Sequence, residues 1–507
     1  GQAAETMEAR WNWTYPIAFS PREDNVLYVG SQHLWRSPDE GQTWARISPD
    51  LTRAEPETLG PSGGLIQLDQ DGPEIYGTLF ALAPSPLRKK LIWTGSDDGL
   101  VHVTRDEGKN WKDVTPPSLP PHTRIASIAA SAHQPGTAYI ATKRYEMADR
   151  RPLIFKTTDY GENWQAINGH LKAPEFAHAI AEDPQQPGVL YLGTETGVYV
   201  SIDDGDHWAD LSLNMPVTPV IDLEVRGDDL VLATHGRGFF VLEGLGLVRE
   251  IAKGRDWSRP QILSAGSATR KFEEAVFFAW LPQDVSGARL DIRDESGKTI
   301  RTLFGDRRLS TGLHRFRWNL RHTGAEVFPN MILESRNPVI GPIAAPGDHT
   351  IHLKAPGLSV SAAMEIDLHP RMQSALTERA LKERLMLALK ARDATSRANS
   401  TVIEIRKLRR KLSGDEGSEA AFLNAISAVE SQLYQVKNES PKDKIALPIQ
   451  LNDRLAGLMH MLSDGDGPPT EAQRIVLARL EGELDALLDT YQQIKTQYAD
   501  EVSISLD

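Results

Sequence analysis

The chain contains no cysteine among its 507 residues. This absence excludes disulfides, thiolate nucleophiles and cysteine-ligated metal sites. No apolar run has the length that a membrane-spanning helix requires, so no membrane span is expected. The 56 basic and 69 acidic residues leave a net charge of −13, which disfavours nucleic acid as a partner. A chain of this length predicts two to four domains.

Several recognition signals are also absent. The first residues show no charged start followed by an apolar stretch, so they do not predict a signal peptide, and Gly1 is expected to begin a processed or truncated chain. The 14 histidines have no HExxH or comparable metal-ligand spacing. There is no phosphate-cradling glycine loop and no G-x-S-x-G elbow. The sequence therefore predicts no metal site and no cofactor.

What the sequence does contain is one eight-residue motif in four copies. Each copy reads Ser/Thr, any residue, Asp, any residue, Gly, any two residues, Trp. The copies are SPDEGQTW, TRDEGKNW, TTDYGENW and SIDDGDHW, and they begin at residues 37, 104, 157 and 201. Short apolar runs separated by turn residues surround each octet. A repeat of about 40–50 residues with four short strands is typical of a β-propeller blade.

We therefore predict a β-propeller over residues 1–250. It has about five recognisable blades, since the segment from Val220 to Leu245 has blade-like strands but no octet. Sequence before Gly1 is expected to complete the ring.

The octets are expected to be structural. The aspartate can accept backbone N–H bonds across the turn, the glycine allows a positive φ, and the tryptophan can fold between neighbouring blades. Catalysis normally needs one unique group of residues rather than one per blade. The residues with this predicted role are Asp39, Gly41, Trp44, Asp106, Gly108, Trp111, Asp159, Gly161, Trp164, Asp203, Gly205 and Trp208.

The octets match the Asp-box, or BNR repeat, of sialidases, sortilin-type receptor domains and some xyloglucan-cleaving glycosidases. Longer stretches such as LIWTGSDDGLVHVTRDEGKNWKDVTPP and LATHGRGFFVLEGL resemble large bacterial proteins described as sortilin-like or BNR-repeat glycosyl-hydrolase-like. The resemblance runs through residues 10–410 and weakens after that. It implies an exported bacterial protein, whether periplasmic, cell-surface or secreted. It also implies the C-terminal half of a longer precursor, with a separate N-terminal propeller chain as a possible partner.

Two further zones follow the propeller, so the fold class is mainly β with an α-helical C-terminal region. Residues 255–370 predict an immunoglobulin-like or fibronectin-like β-sandwich, because strands such as GLHRFRWNL alternate apolar and polar residues at short intervals. Residues 371–507 predict an antiparallel helical bundle, with apolar residues at helical spacing and a break at residues 413–418. Thr470 and Gln473 are placed as a capping box at the start of the last helix.

Candidate catalytic acids lie in glycine-containing turns. They are Asp97 and Asp98 in GSDDG and Glu195 in GTETG. Glycosidases need two carboxylates, about 5–5.5 Å apart for retention and about 6.5–9.5 Å for inversion, a distance that sequence does not supply. The structural alternative is turn capping or strand-edge solvation, and it is favoured. His235 and Arg237 in THGRG are candidate ligand-binding residues, with bonding to neighbouring loops as their alternative role.

The favoured functional hypothesis is a non-catalytic, exported β-propeller scaffold or binding protein for a protein, peptide or glycan. The three arginines, tyrosine and glutamate of a sialidase site are not assembled by any motif. The alternative is a glycoside hydrolase that acts on a polysaccharide through paired carboxylates on the propeller face. A third hypothesis is an obligate subunit whose missing propeller half is a separate polypeptide.

Overall fold

The computed structural model describes residues 4–61, 75–264, 267–272, 274–373, 376–412 and 417–498. The chain forms two compact units, Gly1–Arg255 and Asp256–Asp507. The fold is mainly β, with many small antiparallel sheets, and the long helices lie in the C-terminal region.

The described residues of the first unit form five antiparallel sheets, each made of strands that follow one another in the chain. We call them blades 1 to 5. Blade 1 contains β1 (Ile17–Phe19), β2 (Leu27–Gly30), β3 (Leu34–Ser37) and β4 (Ala45–Arg46), and the short helix α1 (Pro56–Leu59) follows it. Blade 2 contains β5 (Leu79–Pro84), β6 (Ile92–Ser96), β7 (Val101–Thr104) and β8 (Lys112–Asp113).

The remaining three blades repeat this strand order. Blade 3 contains β9 (Arg124–Ala130), β10 (Ala138–Arg144), β11 (Asp149–Thr157) and β12 (Gln165–Ala166). Blade 4 contains β13 (Ala177–Glu182), β14 (Leu190–Thr194), β15 (Val198–Ser201) and β16 (Ala209–Asp210). Blade 5 has three strands, β17 (Val220–Arg226), β18 (Asp229–Thr234) and β19 (Phe239–Glu243), and α2 (Gly246–Ala252) follows them.

The blades pack through their first and second strands. The first strand of each blade contacts the first strand of the next, from β1 and β5 through to β13 and β17. Every residue of β6 and of β14 is buried, which explains why these strands read as nearly continuous runs of apolar and small residues. Hydrophobic clusters fill the spaces between blades, for example around Trp93 and Ile125 between blades 2 and 3.

The second unit begins with three sheets. Their strands are β20 (Gln261–Ser264), β21 (Ser267–Thr269), β22 (Ala275–Leu281), β23 (Val285–Arg293), β24 (Thr299–Leu309), β25 (Gly312–Trp318), β26 (Arg321–Thr323), β27 (Ile340–Ile343), β28 (Gly347–Ala355) and β29 (Leu358–Asp367). The sheet orders are β20-β22-β25, β21-β29-β28-β23-β24 and β26-β27. The two larger sheets share one hydrophobic core that includes Phe277, Trp318 and Ile351. An immunoglobulin-like or fibronectin-like topology for these sheets stays a prediction.

In the part of this unit that the structure describes, five α-helices follow the sheets: α3 (Glu378–Lys411), α4 (Gly417–Leu433), α5 (Asp443–Ala446), α6 (Leu451–Asp464) and α7 (Glu471–Tyr498). The apolar faces of α3, α4, α6 and α7 meet in one core, which includes Ile405, Phe422, Leu455 and Leu484. The predicted capping box at Thr470 and Gln473 forms, since each residue's backbone N–H donates to the other's side chain at 3.3 Å or less. The sheets and helices of residues 256–507 belong to one compact unit, and the predicted domain limits stay predictions.

Candidate functional site

Each octet forms a turn that closes on its own aspartate. We call these segments the octet turns: residues 37–44, 104–111, 157–164 and 201–208. In the third, Asp159 accepts hydrogen bonds from the Thr157 hydroxyl at 2.9 Å and from the backbone and side-chain amides of Asn163 at 2.9 and 2.8 Å. Asp39, Asp106 and Asp203 bind the equivalent donors.

These contacts also affect the charge of the aspartates. Hydrogen bonds from the side chain four positions later hold the pKa of Asp39, Asp106 and Asp159 below the usual value. Such carboxylates remain ionised and bound to their own turns.

The octet tryptophans of blades 2 to 4 reach the preceding blade. Each indole N–H donates to the backbone carbonyl of the residue that directly follows the outermost strand of that blade. The pairs are Trp111 with Ile47 at 3.1 Å, Trp164 with Val114 at 2.6 Å and Trp208 with Ile167 at 2.8 Å. The glycines Gly108, Gly161 and Gly205 have positive φ, and a Cβ on them would lie 2.2–2.7 Å from atoms of the same three acceptor residues. The octets of blades 2 to 4 thus connect neighbouring blades.

A second set of turns joins the second and third strands of each blade. They are residues 31–33, 97–100, 145–148, 195–197 and 235–238. They lie at one edge of the blades, which we call the second-turn edge, because all blades share one strand order and pack side by side. All five candidate catalytic or ligand-binding residues from the sequence lie here: Asp97, Asp98, Glu195, His235 and Arg237.

Asp97 and Asp98 are both buried, at 2% exposure each. Asp97 accepts hydrogen bonds from the Thr78 backbone N–H at 2.8 Å and hydroxyl at 2.9 Å. Asp98 accepts them from the Ser96 hydroxyl at 2.5 Å and from the Arg53 backbone N–H at 2.8 Å. Burial raises the pKa of Asp97 to about 7 and raises that of Asp98 as well. These contacts hold the turn of blade 2 against Thr78, just before the first strand of the same blade, and against Arg53, which follows blade 1. Both carboxylates thus serve as hydrogen-bond acceptors for the turn and its surroundings.

Glu195 has a different environment. It is half-exposed, and its Oε2 lies 3.0 Å from Nε2 of His178, near the start of β13. His178 is 8% exposed, and burial lowers its pKa although Glu195 accepts a hydrogen bond from it. Lys143 and His235 lower this pKa further through their positive charge. Nδ1 of His178 has no hydrogen-bond partner among the described residues.

His178 belongs to a group of aromatic and basic side chains beside Glu195. We call them the basic–aromatic cluster: Phe80, Arg124, Lys143, Tyr145, Phe176 and His178. The Tyr145 ring stacks on Phe176 with centroids 5.3 Å apart. The Lys143 ammonium lies 5.5 Å from the centre of the Phe80 ring and 5.9 Å from that of Tyr145. Blades 2, 3 and 4 all contribute to the cluster.

The charges of the cluster are incompletely neutralised. Arg124 pairs with Glu146 at 2.9 Å, whereas no described carboxylate forms an ion pair with Lys143. Burial and the nearby Arg124 lower the pKa of Lys143 to about 8. Tyr145 is 42% exposed. A cation beside an accessible aromatic ring is suited to a ligand that carries a carboxylate next to a flat apolar group.

His235 and Arg237 occupy the turn of blade 5, and both are exposed. The His235 backbone N–H donates to the Pro219 carbonyl at 3.0 Å, which fixes the turn against the start of its own blade.

Three polar side chains near the same edge contact one another in series. The Tyr76 hydroxyl is 3.0 Å from Nδ1 of His122, and Nε2 of His122 is 3.4 Å from Glu55. Burial and the charges of Asp98 and Asp97 raise the pKa of Tyr76 above its ordinary value. A tyrosine in this environment stays protonated, which argues against its use as a nucleophile.

The sequence reasoning did not identify His178, Lys143 or Tyr145. The signal was present in two short stretches, KRYEM at residues 143–147 and FAHA at residues 176–179, which combine aromatic and basic residues. The two stretches belong to adjacent blades, so only the packing of blade 3 on blade 4 brings them together.

The described residues offer neither a cluster of metal ligands nor a membrane-spanning helix. No group of three or more histidine, aspartate or glutamate side chains in the described ranges could hold a metal ion. None of the described helices combines the length and apolar character needed to cross a membrane.

Comparison with known proteins gives weak similarities, and no family model matches the chain. The chain is 23% identical over 226 residues to a probable oligoxyloglucan-reducing end-specific xyloglucanase of Neosartorya fischeri, covering 40% of this chain and 26% of that protein. It is 21% identical over 167 residues to vacuolar protein sorting/targeting protein 10 of Schizosaccharomyces pombe, covering 31% and 9%. The solved GH74 xyloglucanase of Xanthomonas campestris has 21% identity and a TM-score of 0.36, covering 45% of this chain and 36% of that one.

The chain thus spans about a quarter or less of the length of these curated relatives. Over part of its length the chain is thus similar in sequence to a xyloglucanase and to a sorting protein.

Proposed function

We propose that this chain is a non-catalytic β-propeller binding protein whose second-turn edge binds a ligand with an exposed carboxylate. A carboxylate placed between Lys143 and Arg124 would gain charge-assisted hydrogen bonds. An adjacent flat group would pack on the exposed ring of Tyr145. The ligand is an acidic peptide segment of a protein or an acidic glycan, since both present this chemistry. The observation that carries the proposal is the half-buried Lys143, which forms no ion pair with a described carboxylate.

The engagement of the candidate acids supports a non-catalytic role. Asp97 and Asp98 are buried and accept hydrogen bonds from protein donors, and Glu195 is paired with His178. A glycosidase needs two carboxylates that face the scissile bond from opposite sides. In this proposal the octet aspartates are structural, because all four are bound within their own turns.

The test is an incubation of the purified chain with xyloglucan and other neutral polysaccharides, sialoglycans and acidic peptides. Both retention of the ligand and the appearance of new reducing ends are recorded. We expect retention of an acidic ligand and no new reducing ends. Lys143→Met should weaken retention about 10- to 100-fold, the loss expected when one charged hydrogen-bond partner is removed.

The matched control is Lys112→Met, which removes an exposed lysine that pairs with Glu162 at an octet turn. It should leave retention unchanged. Equal losses in the two variants, or retention of neutral ligands alone, would contradict the proposed site. The peptide and sialoglycan arms distinguish the two sources of the carboxylate.

The alternative function is a glycoside hydrolase, and two observations support it. The chain is similar over part of its length to a xyloglucanase. The pKa of Asp97, raised to about 7, would suit a general acid at neutral pH. New reducing ends from a polysaccharide that disappear in Asp97→Asn or Glu195→Gln would establish this function and overturn the binding proposal.

We also propose that the protein is exported and that a second propeller chain is its partner. The Asp-box repeats and the similarity to a xyloglucanase and a sorting protein support this assignment. Detection of the protein in the periplasmic, surface or culture fraction of its host tests the location. Isolation from the host together with a second chain rich in Asp boxes tests the partner.

A further inference from the structure

The second unit contains a cavity of about 480 Å³ between its sheets and the helix α3. The residues that line it belong to the turn between β23 and β24, to β26, to the start of β28 and to the first half of α3. Its volume lies in the range of small-molecule sites, roughly 300–1,000 Å³. All of these residues belong to the unit Asp256–Asp507, so the cavity shares none of them with the ligand site at Lys143.

Two buried histidines line the cavity: His322 on β26, which is 6% exposed, and His349 on β28, which is 7% exposed. Nδ1 of His349 lies 2.9 Å from the Gly347 carbonyl oxygen. Because a carbonyl only accepts hydrogen bonds, Nδ1 carries the proton. Burial lowers the pKa of His349, so the ring is neutral at neutral pH and its Nε2 is an acceptor.

Both rings keep a nitrogen without a protein partner. Among the described residues, no group hydrogen-bonds to Nε2 of His349 or to the ring of His322. Burial lowers the pKa of His322 to about 4, so this ring is also uncharged at neutral pH. Buried polar groups in folded proteins almost always have a hydrogen-bond partner. The two rings therefore indicate that water or a ligand fills the cavity, and the other walls distinguish between the two.

The helix α3 contributes an apolar wall. Leu385, Met386 and Leu389 line the cavity, and Leu389 is three or four positions from the other two, so all three lie on one helix face. Met386 is 51% exposed, so part of this wall is open to a ligand. Water forms no hydrogen bonds with such a wall, whereas the carbon atoms of an organic ligand are stabilised by packing against it. The wall therefore favours an organic ligand over water alone.

The charges around the cavity favour a cationic ligand. Four carboxylates and two lysine ammonium groups line it: Asp294, Glu295, Asp348, Asp393, Lys382 and Lys390. The Lys382 ammonium is already paired, at 3.0 Å with Glu295 and at 2.8 Å with Glu378. Asp348 is exposed and forms no ion pair with a described residue. Three of the lining carboxylates, Asp348 among them, favour positive charge at His349.

His322 has a different electrostatic environment. The positive charge of Arg392, which pairs with Asp393 at 2.6 Å, adds to burial in lowering the pKa of His322. A cation is therefore favoured beside His349 and not beside His322. His322 is suited to a neutral polar group of the ligand or to a bound water.

We propose that this cavity binds a small organic ammonium, that is, a protonated primary or secondary amine on an apolar body. One N–H of the ammonium group donates to Nε2 of His349, and the carboxylate of Asp348 neutralises its charge. The apolar body packs against Leu385, Met386 and Leu389. Such a site differs from the carboxylate-binding site of the first unit in both its ligand class and its residues.

The test is a titration of the full chain, labelled with ¹⁵N-histidine, with benzylamine as the probe. Two analogues separate the parts of the ligand. Benzyltrimethylammonium keeps the ring and the charge but has no N–H donor, and benzyl alcohol keeps the ring and a donor but has no charge. We expect a saturable ¹⁵N shift of Nε2 of His349 with benzylamine, and binding of both analogues that is weaker by about tenfold or more.

His349→Phe removes the acceptor but keeps a ring beside Trp318, whose ring centre lies 5.6 Å from that of His349. It should weaken benzylamine binding about 10- to 100-fold, and the signal that it removes assigns the shift to His349. The matched control is His314→Phe. His314 also lies beside an aromatic ring, that of Phe316 at 6.3 Å, but it does not line the cavity. This control should bind benzylamine as the wild type does.

Two exposed positions keep the test informative if His349→Phe does not fold. Asp348→Asn removes one unpaired charge and should weaken benzylamine binding about two- to fivefold. Met386→Trp places a larger side chain at the apolar wall and should weaken binding about tenfold, because the cavity then has less room for the ligand ring.

Three results would overturn the proposal. If benzylamine causes no saturable shift of His349, the cavity holds water alone. If benzyl alcohol or benzyltrimethylammonium binds as tightly as benzylamine, the site does not select an N–H cation. If His349→Phe and His314→Phe lose the same affinity, or if neither exposed variant changes it, the amine binds elsewhere. Because none of these measurements involves Lys143, failure here is distinct from loss of ligand retention at the second-turn edge.

Discussion

The octet turns occur in blades 1 to 4 and the second turns in all five blades, and the two sets differ in how far the blades agree. All four octet turns keep Asp, Gly and Trp at the same positions, and in each the aspartate accepts a hydrogen bond from the backbone N–H four positions later. The second turns differ in length and composition, from ETG at residues 195–197 to HGRG at residues 235–238. In the octets the aspartates form hydrogen bonds within the protein. At the second-turn edge Lys143 forms no ion pair with a described carboxylate, and a specific ligand needs a charged group that is available in this way.

The largest expected effect concerns the octet tryptophans. Trp208→Ala should lower the free energy of unfolding of blade 4 by about 3–5 kcal/mol, because it removes a buried indole and its bond to Ile167. Hydrogen exchange of the β14 amides measures this loss. The control Trp44→Ala, at an exposed indole, should cost less than about 1 kcal/mol at the β2 amides. Equal losses would mean that the four octets do not differ in the way described.

A smaller effect separates the turn conformation from the contact between blades. Gly161→Ala and Gly41→Ala both place a side chain at positive φ, which costs about 1–2 kcal/mol. Only Gly161→Ala also forces a Cβ to within 2.6 Å of Val114, which should add about 1–3 kcal/mol. Denaturant titration of both variants measures the difference. If the two variants lost the same stability, the octet glycine would serve its own turn alone.

A still smaller effect is the pH dependence of stability that Asp97, at the second-turn edge, should cause. The folded protein holds the pKa of Asp97 at about 7, above the ordinary value of about 4. The folded state therefore binds the proton more tightly, and stability should fall as the pH rises from about 4 to 7, by up to about 1.4 kcal/mol per pH unit. Asp97→Asn should remove this slope in unfolding titrations across that range. A slope that is unchanged in the variant would show that Asp97 does not titrate there.

The smallest effect is a pH dependence of ligand binding. With the pKa of Lys143 lowered to about 8, part of its charge is lost between pH 7 and 9. Affinity for an acidic ligand should therefore fall by about tenfold over this range. Lys143→Met should bind weakly at every pH, and the pH profile of Lys112→Met should match the wild type. Affinity that rises with pH would exclude Lys143 as the carboxylate-binding cation.

The sequence predicted the parts of the fold that depend on local patterns. The blade strands and the capping box at Thr470 are read from residues that are close in the chain. The partners of the octet tryptophans of blades 2 to 4 are 41 to 64 residues away, so no local pattern could identify them. The topology of the sheets in the second unit was equally hidden, because β21 pairs in parallel with β29, far along the chain.

The candidate site was predicted only in part, for a similar reason. Turn glycines led to Asp97, Asp98, Glu195, His235 and Arg237, which do share one edge. Burial and hydrogen bonding distinguish the two aspartates from Glu195, and neither property is visible in GSDDG or GTETG. His178 and Lys143 lie in strands, where a single polar residue resembles any other solvent-facing position.

The direction of the bonds made by the octet tryptophans bears on how the protein is made. For the tryptophans of blades 2 to 4, the carbonyl acceptor lies earlier in the chain than the indole that donates to it, by 64, 50 and 41 residues. During synthesis the N-terminal part emerges first, so the outer strand of one blade is already available when the next octet leaves the ribosome. Loops of this size cost little more entropy to close than shorter ones. The geometry is thus suited to blades that fold in the order of translation, each one packing on a preceding blade that has already folded.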